Sequence, residues 1–201
     1  MTLGAGAIQL LMDLRRAGIS DTRMLAAVER TPRDAFATDP EGAWKDAAVP
    51  LGPDGFLSRP HDLVTMIAAL GLGDRQRVLQ IPTGTGYEAA LLAGFCRWVY
   101  TVEPDRARRR RADDRLRALG LGNVVSHTGD PLRGWPEQAP FDAILLTEGT
   151  AEVPAELLAQ LRPGGVLVGP IGRDARFHPL LRAKRSETGV ETEVIARTSA
   201  F

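Results

Sequence analysis

The sequence predicts an α/β fold in which a mostly parallel sheet is covered by helices on both faces. From about residue 61, short apolar runs typical of strands alternate with amphipathic stretches typical of helices, which is the pattern of a doubly wound sheet. A glycine turn, Thr83–Gly86, follows the first of these strands directly. Two strand-like stretches around Glu187–Gly189 end the pattern, and we expect them to form an antiparallel C-terminal hairpin.

The segment before the sheet is predicted to be a helical extension. Apolar residues at helical spacing predict helices over residues 7–17 and over residues 21–31, the second ending before a proline. Residues 37–60 are rich in Pro, Gly and Asp, and we expect an irregular connector that packs on the core. We therefore expect residues 1–60 to be N-terminal helices and connector, and residues 61–201 to be the main domain of one structural unit.

The main domain is expected to alternate helices and strands. Helices are predicted over residues 61–71, after the glycine turn, over residues 105–119 and over residues 154–161. The predicted strands are Arg77–Ile81, Trp98–Val102, Asn123–His127, Phe141–Thr147 and Gly165–Pro170, followed by the hairpin strands Leu180–Arg185 and Glu191–Arg197.

Charge composition argues against a polyanionic partner. Lys and Arg number 25 and Asp and Glu number 25, so the formal net charge is zero and nothing global favours nucleic acid or an anionic membrane. The basic run Arg106–Arg111 is flanked by acids inside a predicted helix, and we interpret it as a solvated helix face. We therefore expect no nucleic-acid or membrane partner; the oligomeric state stays open.

Cysteine and histidine usage predicts neither a disulfide nor a metal site. Cys96 is the single cysteine, which excludes an intrachain disulfide, and its apolar surroundings indicate a buried thiol. The three histidines are scattered without metal-ligand spacing. The chain starts without the features of a secretory signal and contains no stretch long enough to cross a membrane, so we expect a cytoplasmic protein.

Three segments at predicted strand ends indicate a ligand site. In a parallel sheet, ligands bind beyond the carboxyl ends of the strands. The turn Gln80–Gly86 follows the first strand, and its glycines let the backbone turn tightly and approach a ligand. Glu103 ends the next strand, 21 residues after Pro82, where a carboxylate can accept hydrogen bonds from both ribose hydroxyls. Gly129-Asp130 follows the third strand, where a carboxylate can accept from an adenine amino group. Together these segments predict an adenosine pocket.

The residues alone leave two adenosine cofactors open. The stretch Gly84–Ala89 also fits the dinucleotide fingerprint G-x-G-x-x-A, so a nicotinamide-dependent oxidoreductase is one alternative. The acid at Asp130 and the closing hairpin favour the other, a Rossmann-like class I methyltransferase that binds S-adenosylmethionine.

Several longer motifs carry a family resemblance over nearly the whole chain. They are Ala47–Gly52, Leu57–His61, Val78–Tyr87, Gly129-Asp130, Gly134-Trp135, Ala139–Ile144 and Leu161–Gly172. In these motifs the chain resembles the protein L-isoaspartyl (D-aspartyl) O-methyltransferase family. The resemblance implies methyl transfer from S-adenosyl-L-methionine to the free carboxylate of isoaspartyl residues, with damaged proteins or peptides as partners.

The resemblance also implies which residues form the site. Ser58 would be catalytic, because its hydroxyl would orient the acceptor carboxylate; as an alternative, Ser58 caps the helix that starts near Pro60. The substrate would meet Leu57, Ser58, His61 and Glu148. The cofactor would be held by Gln80, Pro82, Thr83, Gly84, Thr85, Gly86, Glu103, Gly129, Asp130, Pro131 and Thr147.

Four of these positions depart from the family. Gln80 stands where the family has Glu, so a negative charge that favours a cationic cofactor is lost. Pro82 and Pro131 stand where the family has Gly, and each removes an amide donor. Glu148 would repel an acceptor carboxylate if it faces the pocket. Two alternatives therefore stay open: a methyltransferase for another acceptor, and a binding module that keeps the scaffold without turnover.

Overall fold

The fold centres on one sheet. A computed structural model describes residues 4–52, 55–173 and 178–198, and seven strands within these residues form the sheet. The strands are β3 (Arg77–Ile81), β4 (Trp98–Glu103), β5 (Val124–Thr128), β6 (Phe141–Leu146), β7 (Leu161–Pro170), β8 (His178–Arg185) and β9 (Val190–Thr198). They pair in the order β5-β4-β3-β6-β7-β8-β9. Strands β3 to β7 run parallel, and β8 and β9 add the antiparallel edge.

Helices precede the sheet and cover it. In the described ranges they are α1 (Ala5–Arg16), α2 (Thr22–Arg30), α3 (Pro60–Leu70), α4 (Tyr87–Leu92), α5 (Arg106–Ala118) and α6 (Ala155–Ala159). Asp21 fixes the start of α2, because its carboxylate accepts from the amides of Arg23 and Met24. Asp105 does the same for α5 through the amide of Arg108. Gly71 ends α3 in the left-handed conformation, with φ of 63°.

The two faces of the sheet bury separate apolar clusters. Neighbouring residues of β3, Val78 and Leu79, are both fully buried but belong to different clusters, and Ala143 and Ile144 of β6 repeat this alternation. Side chains of α1 to α4 join the first cluster, and Leu157 of α6 joins the second. A sheet buried on both faces explains why its strands have continuous apolar runs.

The predicted fold is confirmed: the chain has a Rossmann-like, mostly parallel sheet with an antiparallel C-terminal hairpin and N-terminal helices. Two details differ. Strand β7 begins at Leu161 rather than at Gly165, because Leu161 pairs with Phe141 across a register shift, and this shortens α6. The connector holds a short antiparallel pair, β1 (Val49–Pro50) with β2 (Phe56–Leu57). In the described part of the chain, no helix is long and apolar enough to cross a membrane.

Candidate functional site

The glycine turn is clamped between its two neighbouring strands. At the carboxyl end of β3, the amide of Thr83 donates to the carbonyl of Val102 on β4 at 3.0 Å. On the other side, the amide of Thr147 donates to the carbonyl of Ile81 at 2.9 Å. The parallel register of β3, β4 and β6 therefore brings the three strand ends to one place, as the sequence predicts for a ligand site.

Gly84 and Gly86 give the turn its shape. Their φ angles are +55° and +91°, both in the left-handed region that disfavours side chains. Among the described residues, no atom lies within 4 Å of the position of a Cβ at Gly84. At Gly86, by contrast, a Cβ would lie 3.3 Å from the Cβ of Ala112 on α5. Gly86 is thus needed for packing, whereas Gly84 leaves space in front of its backbone.

Glu103 receives the turn directly. Its side chain is buried, and its Oε2 accepts from the Gly84 amide at 3.0 Å while Oε1 accepts from the Asp105 amide at 3.3 Å. Burial raises the pKa of Glu103, and these two amides and the Arg108 guanidinium oppose that rise. The glycine turn and Glu103 therefore converge as predicted for the ribose end of an adenosine site.

Gln80 and Pro82 form one hydrogen-bonded unit. The Gln80 Nε2 donates to the Pro82 carbonyl at 2.5 Å, and the Thr101 hydroxyl donates to the Gln80 Oε1 at 2.8 Å. The hydroxyls of Thr83 and Thr101 are 2.8 Å apart. A carboxylate in place of the Gln80 amide would have no hydrogen to donate to the Pro82 carbonyl. Gln80 therefore stabilises the turn through the backbone of residue 82.

Two further predicted cofactor residues are Thr85, which lies in the turn, and Thr147, which lies beside it. Thr85 is buried, and its hydroxyl accepts from the Tyr87 amide at 3.3 Å. The Thr147 hydroxyl is 3.4 Å from the Gln80 Nε2, which donates to it, and 3.2 Å from the Ile81 carbonyl. Both threonines hold the turn in place.

Ser58 points at an acid that the sequence interpretation missed. Its hydroxyl donates to the Glu88 Oε1 at 2.9 Å, and both residues are buried. The capping alternative for Ser58 is wrong, because Arg59 occupies the cap position of α3 and α3 has no side-chain cap. The side chain of Leu57 is fully buried in the core and does not line the cavity described below.

A buried cation, Arg33, contacts the backbone of Ser58 and the ring of Tyr87. Arg33 is fully buried, its Nη2 donates to the Ser58 carbonyl at 2.7 Å, and its guanidinium lies 4.9 Å from the centre of the Tyr87 ring. Burial raises the pKa of Glu88, while Ser58 and Arg33 act against that rise. An available signal for Glu88 was its position one residue after Tyr87 in a short, otherwise apolar helix.

One small cavity joins the two sets of residues. It has a volume of about 20 Å³ and is lined by Ser58, Pro82, Gly84, Glu88, Arg108, Thr147 and Glu148, together with residues 55 and 56. The predicted substrate residues Ser58 and Glu148 thus share a cavity with three of the predicted cofactor residues, Pro82, Gly84 and Thr147. Glu148 also lies near enough to Glu103 to raise its pKa.

Other predicted residues lie outside this cavity. The Gly129 amide donates to the Glu103 carbonyl at 3.2 Å, but Asp130 is exposed and its carboxylate accepts from the Leu132 amide at 2.9 Å. Pro131 follows as the first residue of the short 3₁₀ turn that Asp130 caps.

The His61 amide donates to Asp46 at 2.9 Å, which holds His61 at the start of α3. Neither Asp130 nor His61 lines the cavity.

The interpretation of the basic run as a solvated face is wrong at two positions, Arg108 and Arg109, whose side chains are only 22% and 27% exposed. Arg108 turns inward, and its Nε lies 3.1 Å from the Glu103 Oε1. Arg109 pairs with Asp113 at 2.9 Å, while Arg106 and Arg110 are exposed as expected. The sequence interpretation missed Arg108 because a run of arginines does not show which of them faces the sheet.

The donor set fits an adenosine cofactor, but the volume requires a movement. A buried carboxylate next to an open glycine backbone is the chemistry that binds a ribose diol. A cavity of about 20 Å³ holds one water molecule, whereas ligand sites occupy about 300–1,000 Å³. Arg108 is the long side chain in the cavity wall. Across the described ranges, no cluster of His, Cys, Asp and Glu could hold a metal.

Comparison with known sequences gives the same family over nearly the full chain. The model of the Protein-L-isoaspartate(D-aspartate) O-methyltransferase family matches residues 6–199. A protein-L-isoaspartate O-methyltransferase of Rhodospirillum rubrum is 45% identical, covering 96% of this chain and 90% of the relative. One from Rhodospirillum centenum is also 45% identical, covering 96% and 89%.

Solved structures agree with the fold. A protein-L-isoaspartate O-methyltransferase superposes with a TM-score of 0.84 at 29% identity, covering 96% of this chain and 64% of that chain. A Plasmodium falciparum structure of the same description, with bound S-adenosyl-L-homocysteine, has a TM-score of 0.79 at 19% identity, covering 96% and 94%. The first comparison spans slightly less than two thirds of the solved chain, and the second supports the fold alone.

The family match extends from α1 to the end of β9 and includes the glycine turn, Glu103 and the Ser58 segment. With relatives 45% identical over nearly its whole length, this chain belongs to the protein-L-isoaspartate(D-aspartate) O-methyltransferase family.

Proposed function

We propose that the protein transfers the methyl group of S-adenosyl-L-methionine to the free carboxylate of isoaspartyl residues in damaged proteins. One observation carries the proposal: the Ser58 segment and the glycine turn close on the same cavity, so acceptor and methyl donor would meet there. Family membership supports both the cofactor and the acceptor. A cytoplasmic location, and isoaspartyl proteins rather than nucleic acid or membrane as partners, are part of the same proposal.

The cofactor end of the site would use Glu103 and the turn. Glu103 would accept from the ribose hydroxyls, and the open face of Gly84 would lie against the cofactor. Gln80 and Thr147 would act indirectly, because they hold the turn in shape. When bound, S-adenosyl-L-methionine supplies a methyl group that its sulfonium already activates. Roles for Gly129, Asp130 and Pro131 at the adenine remain predictions.

The acceptor end needs orientation more than acid–base chemistry. A free carboxylate is ionised at neutral pH and is already a nucleophile, so its alignment and the exclusion of water are the main tasks. Ser58 would donate its hydroxyl hydrogen to the acceptor carboxylate. It can do so when Glu88 carries a proton, because the Glu88 hydroxyl then donates to the Ser58 Oγ. Burial favours that protonated form of Glu88, since it raises the pKa.

Methanol release is the decisive assay. The protein is incubated with S-adenosyl-L-methionine and an isoaspartyl peptide, or with the same peptide carrying a normal aspartyl residue, and base-labile methanol is measured. We expect release only from the isoaspartyl peptide. Glu103→Gln should lower it strongly, whereas Glu137→Gln, at an exposed acid elsewhere, should not.

Each alternative predicts its own result in this assay. Equal methanol release from both peptides would reject the isoaspartyl assignment and favour a different carboxylate acceptor. Cofactor binding without any methyl transfer would favour a binding module.

A further inference from the structure

We propose that Arg108 competes with the cofactor ribose for Glu103, and that this competition sets the affinity of the protein for adenosine cofactors. The inference rests on the proposed function, because it assumes that Glu103 accepts from a ribose. It assigns a role in setting cofactor affinity to a residue that the sequence pattern placed on a solvated helix face.

The geometry places Arg108 where a ribose would bind. Its Nε is 3.1 Å from the Glu103 Oε1, and its side chain is 22% exposed. A Cβ at Gly55 would lie 3.7 Å from the Arg108 Nη1, so the guanidinium lies between Glu103 and the Ser58 segment. Arg108 also lines the cavity of about 20 Å³. A ribose can therefore reach Glu103 only if this side chain moves.

The contact between Arg108 and Glu103 is suited to exchange. The Arg108 Nε is buried and has no hydrogen-bond partner among the described residues, so its attraction to Glu103 is Coulombic rather than a directed hydrogen bond. A ribose diol would give Glu103 directed hydrogen bonds, and the displaced guanidinium would regain water.

Only the side chain has to move in this exchange. The backbone amide of Arg108 donates to the carboxylate of Asp105 at 2.8 Å, which fixes the first turn of α5. Glu103 is likewise held by the amides of Gly84 and Asp105. The carboxylate therefore stays in place while Arg108 leaves, so the acceptor for the ribose is already oriented.

Calorimetric titration tests the competition without reference to turnover. The full chain and its Arg108→Leu variant are titrated with S-adenosyl-L-methionine and with S-adenosyl-L-homocysteine. We expect both ligands to bind about two- to five-fold more tightly to the variant, because a partly exposed ion contact no longer has to be broken. Arg110→Leu, which removes an equal charge from the exposed face of the same helix, should leave both affinities unchanged.

The two ligands separate competition from simple charge removal. S-adenosyl-L-methionine has a net positive charge and S-adenosyl-L-homocysteine is neutral, but both have the same ribose. A gain confined to S-adenosyl-L-methionine, or a gain of equal size in Arg110→Leu, would overturn the competition. Unchanged or weaker binding to Arg108→Leu would overturn it as well.

A second variant and the wild type guard against two other failures. Arg108→Gln keeps a polar side chain without the charge. It replaces Arg108→Leu if circular dichroism shows that the Leu variant does not fold, and we expect the same gain in affinity for both ligands. If neither the wild type nor any variant binds either ligand, the proposed cofactor itself is rejected. If all bind equally well, only the role of Arg108 is rejected.

Discussion

Replacing Gly84 by Ala should weaken cofactor binding more than it weakens the fold, and Gly71 provides a matched control. The two glycines have φ angles of +55° and +63°, and among the described residues neither has an atom within 4 Å of its Cβ position. An L-residue in this conformation costs about 1–2 kcal/mol. Restricting the unfolded chain returns about 0.4–1 kcal/mol. We therefore expect each variant to lose about 1 kcal/mol of unfolding free energy, a shift of about 2–4 °C in Tm for a chain of this size.

Binding should separate the two variants. A methyl group on Gly84 would project into the space in front of the turn, where overpacking costs about 1–3 kcal/mol. Calorimetry with S-adenosyl-L-homocysteine should then show at least about a five-fold weaker Kd for Gly84→Ala and an unchanged Kd for Gly71→Ala. Equal affinities in two variants of equal Tm would refute the placement of the cofactor against this turn.

Three further changes test the buried groups. Burial raises the pKa of Glu88, so the wild type should lose stability as the pH rises from the pKa of Glu88 in the unfolded chain towards its pKa in the folded chain. Glu88→Gln should therefore raise the urea midpoint at pH 8 and change it little near pH 4. Gln80→Glu should lower the unfolding free energy by about 1–3 kcal/mol in urea titrations, because the Pro82 carbonyl loses its donor. Burial raises the pKa of Cys96 to about 12, so iodoacetamide at pH 8 should alkylate it slowly in the native protein and quickly in denaturant.

The sequence was sufficient for the fold because the strands are buried on both faces. A run such as Ala143 to Leu146 contains no polar residue, so it cannot be confused with the polar alternation of a surface strand. The early start of β7 was not predictable, because Leu161 joins the sheet through its partner Phe141 rather than through any local pattern.

The site was only partly predictable. Spacing along the chain located the glycine turn and Glu103, because residues at the ends of adjacent parallel strands must meet. It could not locate Glu88 or Arg33, whose importance comes from their burial beside Ser58. Nor could it show that Asp130 is exposed and caps the short turn after β5, since that depends on the local backbone.

The strand order divides the molecule into two parts that meet at the cavity. Each pairing in the described sheet joins consecutive strands except that of β3 with β6, where the register partners Val78 and Ala143 lie 65 positions apart. Forming this pairing therefore requires the closure of a long loop, which has an entropic cost. Pro82 and Gly84 belong to one part, and Thr147 and Glu148 to the other. A partly folded chain could therefore keep most of its helices and strands and still have no ligand site, and a ligand bound between the two parts would hold them together.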